Sequence, residues 1–205
     1  TPYMAACAVI EAARAQKVEQ AILDRMVSNA IDILNLFLDA QDFDPNIKDR
    51  DGFSALFWVL SLRDVNALVD VYQKGAEINH QDKNGQTAVF WAVLHGWIEG
   101  MQCLASNGAD VDMPNSAGSR PIDLAIGNGL DINVLKALID LGSKIDDPFG
   151  PKQDTALTLA AKYGRHDAIK LLLEKGANPN GQNYQGFTPY MAACAVIEAA
   201  RAQKV

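Results

Sequence analysis

The sequence predicts an all-α solenoid, in which helix-turn-helix units stack side by side and hairpin-like loops join them. Three observations carry this prediction. A unit of about 33 residues recurs along the chain of 205 residues, two sets of turn residues recur in phase, and each unit holds two short apolar stretches with helical spacing. A unit of this size cannot cover its own apolar faces, so neighbouring units must cover each other.

The two sets of turns define the repeat boundaries. The first set has Ser, Thr or Arg at a fixed place, namely Ser54, Thr87, Arg120, Thr155 and Thr188, and these are spaced by 33, 33, 35 and 33 residues. The second set begins with a glycine that can take the positive φ ending a helix, namely Gly75, Gly108, Gly142 and Gly176. We therefore expect a single domain with repeats at about 1–53, 54–86, 87–119, 120–154 and 155–187, followed by a partial first helix at 188–205.

The repeat that starts at Thr155 shows why each unit should form two helices. Its first apolar stretch is Leu157, Leu159, Ala160 and Ala161, and its second is Ile169, Leu171, Leu172 and Leu173. This repeat resembles the ankyrin-repeat family, whose units carry a turn, a first helix opened by Thr-Pro-Leu-His and two alanines, and a leucine-rich second helix ending at Gly-Ala-Asp. The resemblance covers nearly the whole chain. It implies an ankyrin solenoid that binds another protein.

Some repeats depart from this family pattern. Phe57-Trp58 and Phe90-Trp91 stand where the family favours His-Leu, and Arg120 replaces the turn threonine. Because large aromatic side chains contribute heavily to burial, we expect these matched pairs to stack in the core. An aromatic cage for a ligand is the alternative.

Composition limits the classes of partner and the compartment. A net charge of −7 and a pI of about 4.9 argue against nucleic acid and anionic membrane, which are both polyanions. No transmembrane stretch is visible. Cys7, Cys103 and Cys194 lie in predicted helices and suggest no disulfide framework. The chain starts at Thr1, so we expect a processed or trimmed protein whose localisation stays open, with a weak preference for the cytoplasm.

The sequence holds no constellation that predicts catalysis. His80, His95 and His166 lie in three different repeats with no metal-ligand spacing, and the cysteines do not pair with them. The segment Gly127-Asn128-Gly129 lacks the lysine and the preceding strand of a phosphate loop. We therefore expect no enzyme activity, no metal and no cofactor.

The first repeat is about twenty residues longer than the others, and the excess precedes its second helix. Segment Ala5 to Val27 has no Gly or Pro and should be helical. Two layouts fit. Either the first helix overhangs by several turns and Ser28 or Asn29 caps a second helix at 31–38, or both helices lengthen and the chain reverses near residues 16–20. Ser28-Asn29 is the better turn signal.

Residues 1–18 recur without change as residues 188–205, which we call the head and tail segments. Chance does not give such identity between otherwise divergent repeats. Either the end was duplicated by engineering, or a longer parent repeats every 187 residues. The tail of one molecule could replace the head of the next and form filaments or rings, or the tail could simply cap the stack. Self-assembly would use the apolar side chains of both segments, with Thr1: Thr1, Tyr3, Met4, Val9, Ile10, Tyr190, Met191, Val196 and Ile197.

The family resemblance also implies where a partner would bind. Ankyrin proteins commonly grip partners on a concave face made of hairpin tips and of the last exposed positions of the first helices. By position, the candidate residues are Arg50, Phe53, Leu62, Lys83, Gln86, Leu94, His95, Ser119, Asn128, Lys162, Tyr163, Tyr184 and Phe187. The connection at 146–151 is two residues longer than its counterparts and holds two prolines, so we expect a reshaped hairpin there.

Overall fold

The computed structural model describes residue 2, residues 4–8 and residues 20–202. Residue 2 and residues 4–8 are helical. The helices that follow are α1 Gln20–Leu38, α2 Ala55–Leu60, α3 Val65–Gln73, α4 Ala88–Leu94, α5 Ile98–Ser106, α6 Pro121–Gly127, α7 Ile132–Asp140, α8 Ala156–Lys162, α9 His166–Glu174 and α10 Pro189–Ala202. The predicted all-α architecture is confirmed.

The helices stack in two rows. The first helices of successive units, α2, α4, α6, α8 and α10, contact one another in order, and so do the second helices α3, α5, α7 and α9. Each second helix also packs on the first helix of its own unit. Small buried residues such as Ala92, Ala125 and Ala160 let adjacent first helices approach closely. The result is one continuous hydrophobic core along the stack.

Two ladders of hydrogen bonds tie the loops of neighbouring units together. At the hairpin tips, the Lys83 amide donates to the Asp51 carbonyl at 3.1 Å and the Ser116 amide donates to the Asn84 carbonyl at 3.0 Å. Below the tips, the Asn46 side chain donates to the Gly75 carbonyl and accepts from the Glu77 amide, both at 2.9 Å. These bonds fix each hairpin against the next one, so the tips form a regular row.

Helix α1 differs from the favoured expectation for the first repeat. It runs without a break through Ser28 and Asn29, which are exposed on its surface, so the predicted cap and turn at these residues are wrong. Serine and asparagine lower helix propensity only modestly, and no Gly or Pro interrupts the segment. The alternative reversal near residues 16–20 falls mostly on residues outside the described part of the chain.

The hairpin before α8 is reshaped, as its two prolines predict. In the other described hairpins a side-chain oxygen, of Asp49, Asp82, Asn115 or Asn183, accepts two backbone amides and shapes the turn. Here an isolated antiparallel bridge joins Phe149 to Asp154 instead, and Gln153 takes a positive φ of 53°. The tip still bonds to the preceding hairpin, from the Gly150 amide to the Gly118 carbonyl.

Arg120 and Asp123 form a buried ion pair at the start of α6. They are 6% and 4% exposed. The Asp123 carboxylate accepts from the Arg120 amide at 2.8 Å and from its Nε at 3.2 Å. The guanidinium also donates to the Lys144 carbonyl at 2.8 Å and lies 5.2 Å from the centre of the Phe149 ring. Arg120 and Asp123 thus form a pair at the positions that Thr155 and Thr158 hold in the repeat of α8, where the two threonine hydroxyls are hydrogen-bonded.

Burial raises the pKa of Asp123 from its ordinary value of 3.8 to about 6, against the opposing effect of Arg120. Since the folded state then binds this proton more tightly than the unfolded chain, the contribution is fully present below pH 3.8 and is lost as pH rises through about 6. Urea unfolding at several pH values should show wild type gaining up to about 3 kcal/mol relative to Asp123→Asn as pH falls through this window. Parallel pH profiles would contradict this assignment.

Candidate partner-binding surface

The hairpin tips and the adjoining exposed ends of the first helices form one continuous surface, which we call the hairpin-side face. The tips are placed by the backbone ladder and the helix ends by the stacking of α2, α4, α6 and α8. Glycines at the helix ends, such as Gly96 with a φ of 62°, turn the chain away at low conformational cost. The side chains just before these turns therefore face outward.

An aromatic cleft of about 140 Å³ opens on this face between α2 and α4. Phe53 lies at its centre, with ring centroids 5.4 Å from Phe57, 6.3 Å from Trp58 and 5.1 Å from Trp91. Its lining is mostly apolar and consists of Phe53, Phe57, Trp58, Leu60, Ser61, Trp91 and His95. Edge-to-face and stacked rings hold one another in place, so the cleft is pre-formed.

The two tryptophans of the cleft differ in their hydrogen bonds. The Trp58 indole donates from Nε1 to Asp49 Oδ2 at 3.2 Å. At the equivalent places in the next repeat, Trp91 Nε1 and Asp82 Oδ2 are both buried, and neither has a partner among the described residues. An unpaired buried polar group costs about 1–3 kcal/mol. The Trp91 side of the cleft is thus held by packing alone.

The predicted aromatic pairs divide between core and surface. Phe57 and Phe90 are buried at 5% and 1% exposure, as expected for core residues. Trp58 and Trp91 are only half-buried and line the cleft. They belong to the site but are absent from the predicted binding residues. Their signal was the recurrence of tryptophan at one position in adjacent repeats.

Most of the predicted binding residues lie on the hairpin-side face. Tyr184 is 64% exposed, Tyr163 59%, Leu94 43% and Phe187 40%. Phe53 packs against Phe57, Trp58 and Trp91, whereas the positions equivalent to Phe57 and Trp58 after Phe187 are Met191 and Ala192. Phe187 therefore lacks these ring contacts and is exposed. The other predicted residues with exposed or half-buried side chains are Arg50, Lys83, Gln86, His95, Ser119, Asn128 and Lys162.

Leu62 does not belong to the surface, and this prediction is wrong. Helix α2 ends at Leu60, and Leu62 is 4% exposed within the hydrophobic core. Its equivalents His95, Asn128 and Tyr163 are exposed at the ends of longer first helices. Arg63 then makes the positive-φ turn at 54° that a glycine makes in those repeats. An apolar side chain at this position turns inward because burial favours it.

Two predicted lysines are held by ion pairs. Lys83 pairs with Asp51 across neighbouring hairpin tips, and this hydrogen bond and charge raise the pKa of the exposed Lys83 ammonium. Lys162 contacts Asp154 at 2.6 Å, and Asp154 also accepts from Asn183 Nδ2 at 2.8 Å. Both lysines therefore stiffen the surface, and their ammonium groups are only partly available to a partner.

The head and tail segments differ in the exposure of their described side chains. Thr1, Tyr3, Val9 and Ile10 lie outside the described residues. Met4, the described member of the head set, is buried at 5% exposure. The residues of the tail set are exposed, with Tyr190 at 78%, Met191 at 48%, Val196 at 39% and Ile197 at 52%.

The described part of the chain gives no sign of a metal centre or a membrane span. No His, Cys, Asp or Glu side chains in this part cluster in a way that could hold a metal ion. Among the described helices, none has the length and apolar character needed to cross a bilayer.

Comparison with known proteins gives a consistent result. The family described as ankyrin repeats (three copies) matches residues 21–115, 61–148 and 122–201. A putative E3 ubiquitin-protein ligase of Arabidopsis thaliana, XBAT35, is 38% identical over 97 residues, covering 46% of this chain and 21% of that protein. The neurogenic locus Notch protein of Drosophila melanogaster is 34% identical over 100 residues, covering 42% of this chain and 4% of that protein. The chain thus spans about a fifth or less of the length of these relatives.

Proposed function

Because the chain belongs to the ankyrin-repeat family, we propose that it is a non-catalytic module that binds another protein through its hairpin-side face, the concave face of the stack. The matched residues 21–201 are repeats throughout, which supports binding. Ankyrin repeats are in general protein-interaction modules, and the fold alone fixes no particular target. The choice of target therefore depends on the chemistry of the surface.

The aromatic cleft is the observation that carries this proposal. A pre-formed apolar depression with aromatic walls is suited to an apolar or aromatic side chain of a partner, since interface energy concentrates in such anchors. Burying one Leu or Phe side chain there contributes about 1.5–3 kcal/mol. The exposed rings of Tyr163, Tyr184 and Phe187 lie further along the face and extend the contact over later repeats.

The net charge of the chain favours some kinds of partner segment over others. With a net charge of −7, the protein attracts basic or neutral segments at long range and slows the approach of acidic ones. We therefore infer an apolar anchor within a neutral to basic segment as the preferred partner chemistry.

The proposal predicts the effect of removing single aromatic side chains. A peptide selected on the intact protein from a random displayed library should bind at least about tenfold more weakly to Phe53→Ala, because the cleft loses its central ring. Tyr163→Ala should weaken peptides that reach the later repeats. Affinities measured by fluorescence anisotropy test both.

The matched control is Tyr190→Ala. Tyr190 is the most exposed of these aromatic residues, but its counterparts in complete repeats, such as Leu157, are core positions away from the hairpin-side face. The control should leave peptide affinity unchanged. Equal loss in Tyr190→Ala and Phe53→Ala, or no loss in Phe53→Ala, would contradict the proposal.

A second candidate function is self-assembly through the duplicated segment. It is favoured by the identity of residues 1–18 with residues 188–205 and by the exposed apolar side chains of α10. The two ends lie on the order of 40 Å apart if neighbouring helices pack at 8–10 Å, so contact between them must join different molecules.

A further inference from the structure

At the positions that are described in both copies, the two identical segments bury opposite faces. In the head, Met4 and Cys7 are buried at 5% and 0% exposure, whereas Pro2 is exposed. In the tail, the counterpart of Pro2 is Pro189, which is buried, and the counterpart of Met4 is Met191, which is 48% exposed. One sequence thus shows two complementary patterns of burial at the two ends of the stack.

A complete repeat buries both faces at once. In α8, the positions equivalent to Pro189, Met191 and Cys194 are Ala156, Thr158 and Ala161, and all three are buried. Helix α8 has neighbours on all of these sides, since it contacts α6 of the preceding repeat, its own second helix α9 and α10 of the following repeat. The tail packs against the repeat that precedes it, through α8. The head packs against residues that follow it, since Cys7 belongs to the same core as Ala30 and Leu34 of α1.

An apolar cleft of about 260 Å³ lies beside the tail, where no helix covers it among the described residues. It lies between α9 and α10, and its lining includes Ile169, Leu173 and Tyr190. Leu173 is 45% exposed, while its equivalent Ile139 in α7 is half-buried beside α9. The cleft therefore lies where the second helix of a following repeat would pack.

We propose that α1 and α2 of a second copy of this chain cover this cleft, with α10 taking the place that the head segment holds in that copy. Because the two segments are identical, the side chains that fit against α1 in the head fit again in the tail. Met191 would enter the site of Met4, and Cys194 that of Cys7. This inference rests on self-assembly, the second candidate function, and specifies its contact.

The energetics favour a concentration-dependent assembly. When the tail of one molecule replaces the head of another, each contact that the head made is replaced by an equal contact of the tail. The exchange itself therefore contributes little to the free energy of association. The gain comes from Leu173, Tyr190 and Met191, which are exposed in the free chain and become covered. This gain must exceed the loss of translational and rotational entropy. Since the two joined surfaces differ, the contact is heterologous and builds open chains or rings.

The first test compares Met191→Glu with a matched control. In the free chain the glutamate stays exposed, but in the assembly it would be buried without a partner, so association should weaken at least about a hundredfold. The control is Leu36→Lys, which removes an apolar side chain that is 71% exposed on α1. Its equivalents Lys136 and Lys170 are exposed lysines, so assembly should persist.

The second test uses Met4→Glu, which places a charge at the buried head position. It should release the head from α1 and leave this site open to the tail of another molecule. Because a larger fraction of molecules is then competent to bind, association should strengthen about tenfold or more, and adding Met191→Glu should abolish it. Light scattering after size exclusion, from micromolar to millimolar protein, gives the masses, and circular dichroism confirms folding.

The outcomes separate this inference from self-assembly itself. Growth of wild type and Leu36→Lys with a monomeric Met191→Glu supports the exchange, and stronger growth of Met4→Glu supports it further. If wild type grows while Met191→Glu grows equally, or if a folded Met4→Glu stays monomeric, the exchange is overturned but self-assembly stands. A wild type that is monomeric at every concentration overturns both. Should Met4→Glu fail to fold, the comparison of Met191→Glu with Leu36→Lys decides.

Discussion

Asp123→Ala is expected to lower the free energy of unfolding by about 3–5 kcal/mol, because it removes the carboxyl oxygens that accept hydrogen bonds from Arg120 and leaves these buried donors unpaired. Arg120 is 6% exposed and donates to Asp123 through both its amide and its side chain. Its remaining contacts, the Lys144 carbonyl and the Phe149 ring, do not replace these acceptors. Urea unfolding followed by circular dichroism gives the value.

The double variant Arg120→Thr with Asp123→Thr is the matched control. It recreates the pair of the repeat of α8, where Thr155 Oγ1 lies 3.1 Å from Thr158 Oγ1 and accepts the Thr158 amide at 3.2 Å. Replacing both charges together should cost clearly less than Asp123→Ala, since no buried charge is left unpaired. A double variant less stable than Asp123→Ala would show that the ion pair does not act as one unit.

Gly85→Ala is expected to destabilise the protein by about 2–4 kcal/mol, through strain and a clash that act together. Gly85 has a φ of 75°, and a Cβ added there would lie 2.5 Å from the Ser116 amide nitrogen. This amide donates to the Asn84 carbonyl in the ladder between hairpin tips. The substitution should therefore push two hairpins apart as well as strain one residue.

Gly108→Ala separates the two effects. Gly108 has a φ of 89°, but a Cβ there would meet no atom within 4 Å. Only the backbone strain remains, which should lower the unfolding free energy by roughly 1–2 kcal/mol. Thermal and urea unfolding of both variants give the comparison. Equal losses would mean that contact between the hairpin tips contributes little to stability.

The regular parts of the fold were predictable because they depend on local sequence. The turn threonines and glycines recur at fixed spacing, and glycines such as Gly176, with a φ of 88°, end helices where expected. Helix α1 was harder, since Ser28 and Asn29 permit both a cap and an uninterrupted helix. Which of the two forms depends on the helical residues around them and on packing against the core.

The candidate site was predictable in its position but less so in its composition. Transferring positions from the family places most candidate residues on the exposed hairpin-side face, because hairpin tips and helix ends are exposed by geometry. It fails at Leu62, where an apolar side chain turns inward, and it misses Trp58 and Trp91. The two tryptophans lie between surface and core because Phe53, a residue of the hairpin, packs against Trp58 and against Trp91. This contact joins two repeats and is not visible in the local sequence.

The indole resonances of the three tryptophans give the most direct test of binding at the hairpin-side face. Trp58 and Trp91 line the aromatic cleft, whereas Trp97 is 5% exposed at the start of α5. A peptide selected on the intact protein should shift the indole signals of Trp58 and Trp91 in a ¹H–¹⁵N spectrum and leave that of Trp97 in place. Binding that leaves Trp58 and Trp91 unchanged would contradict the proposed site.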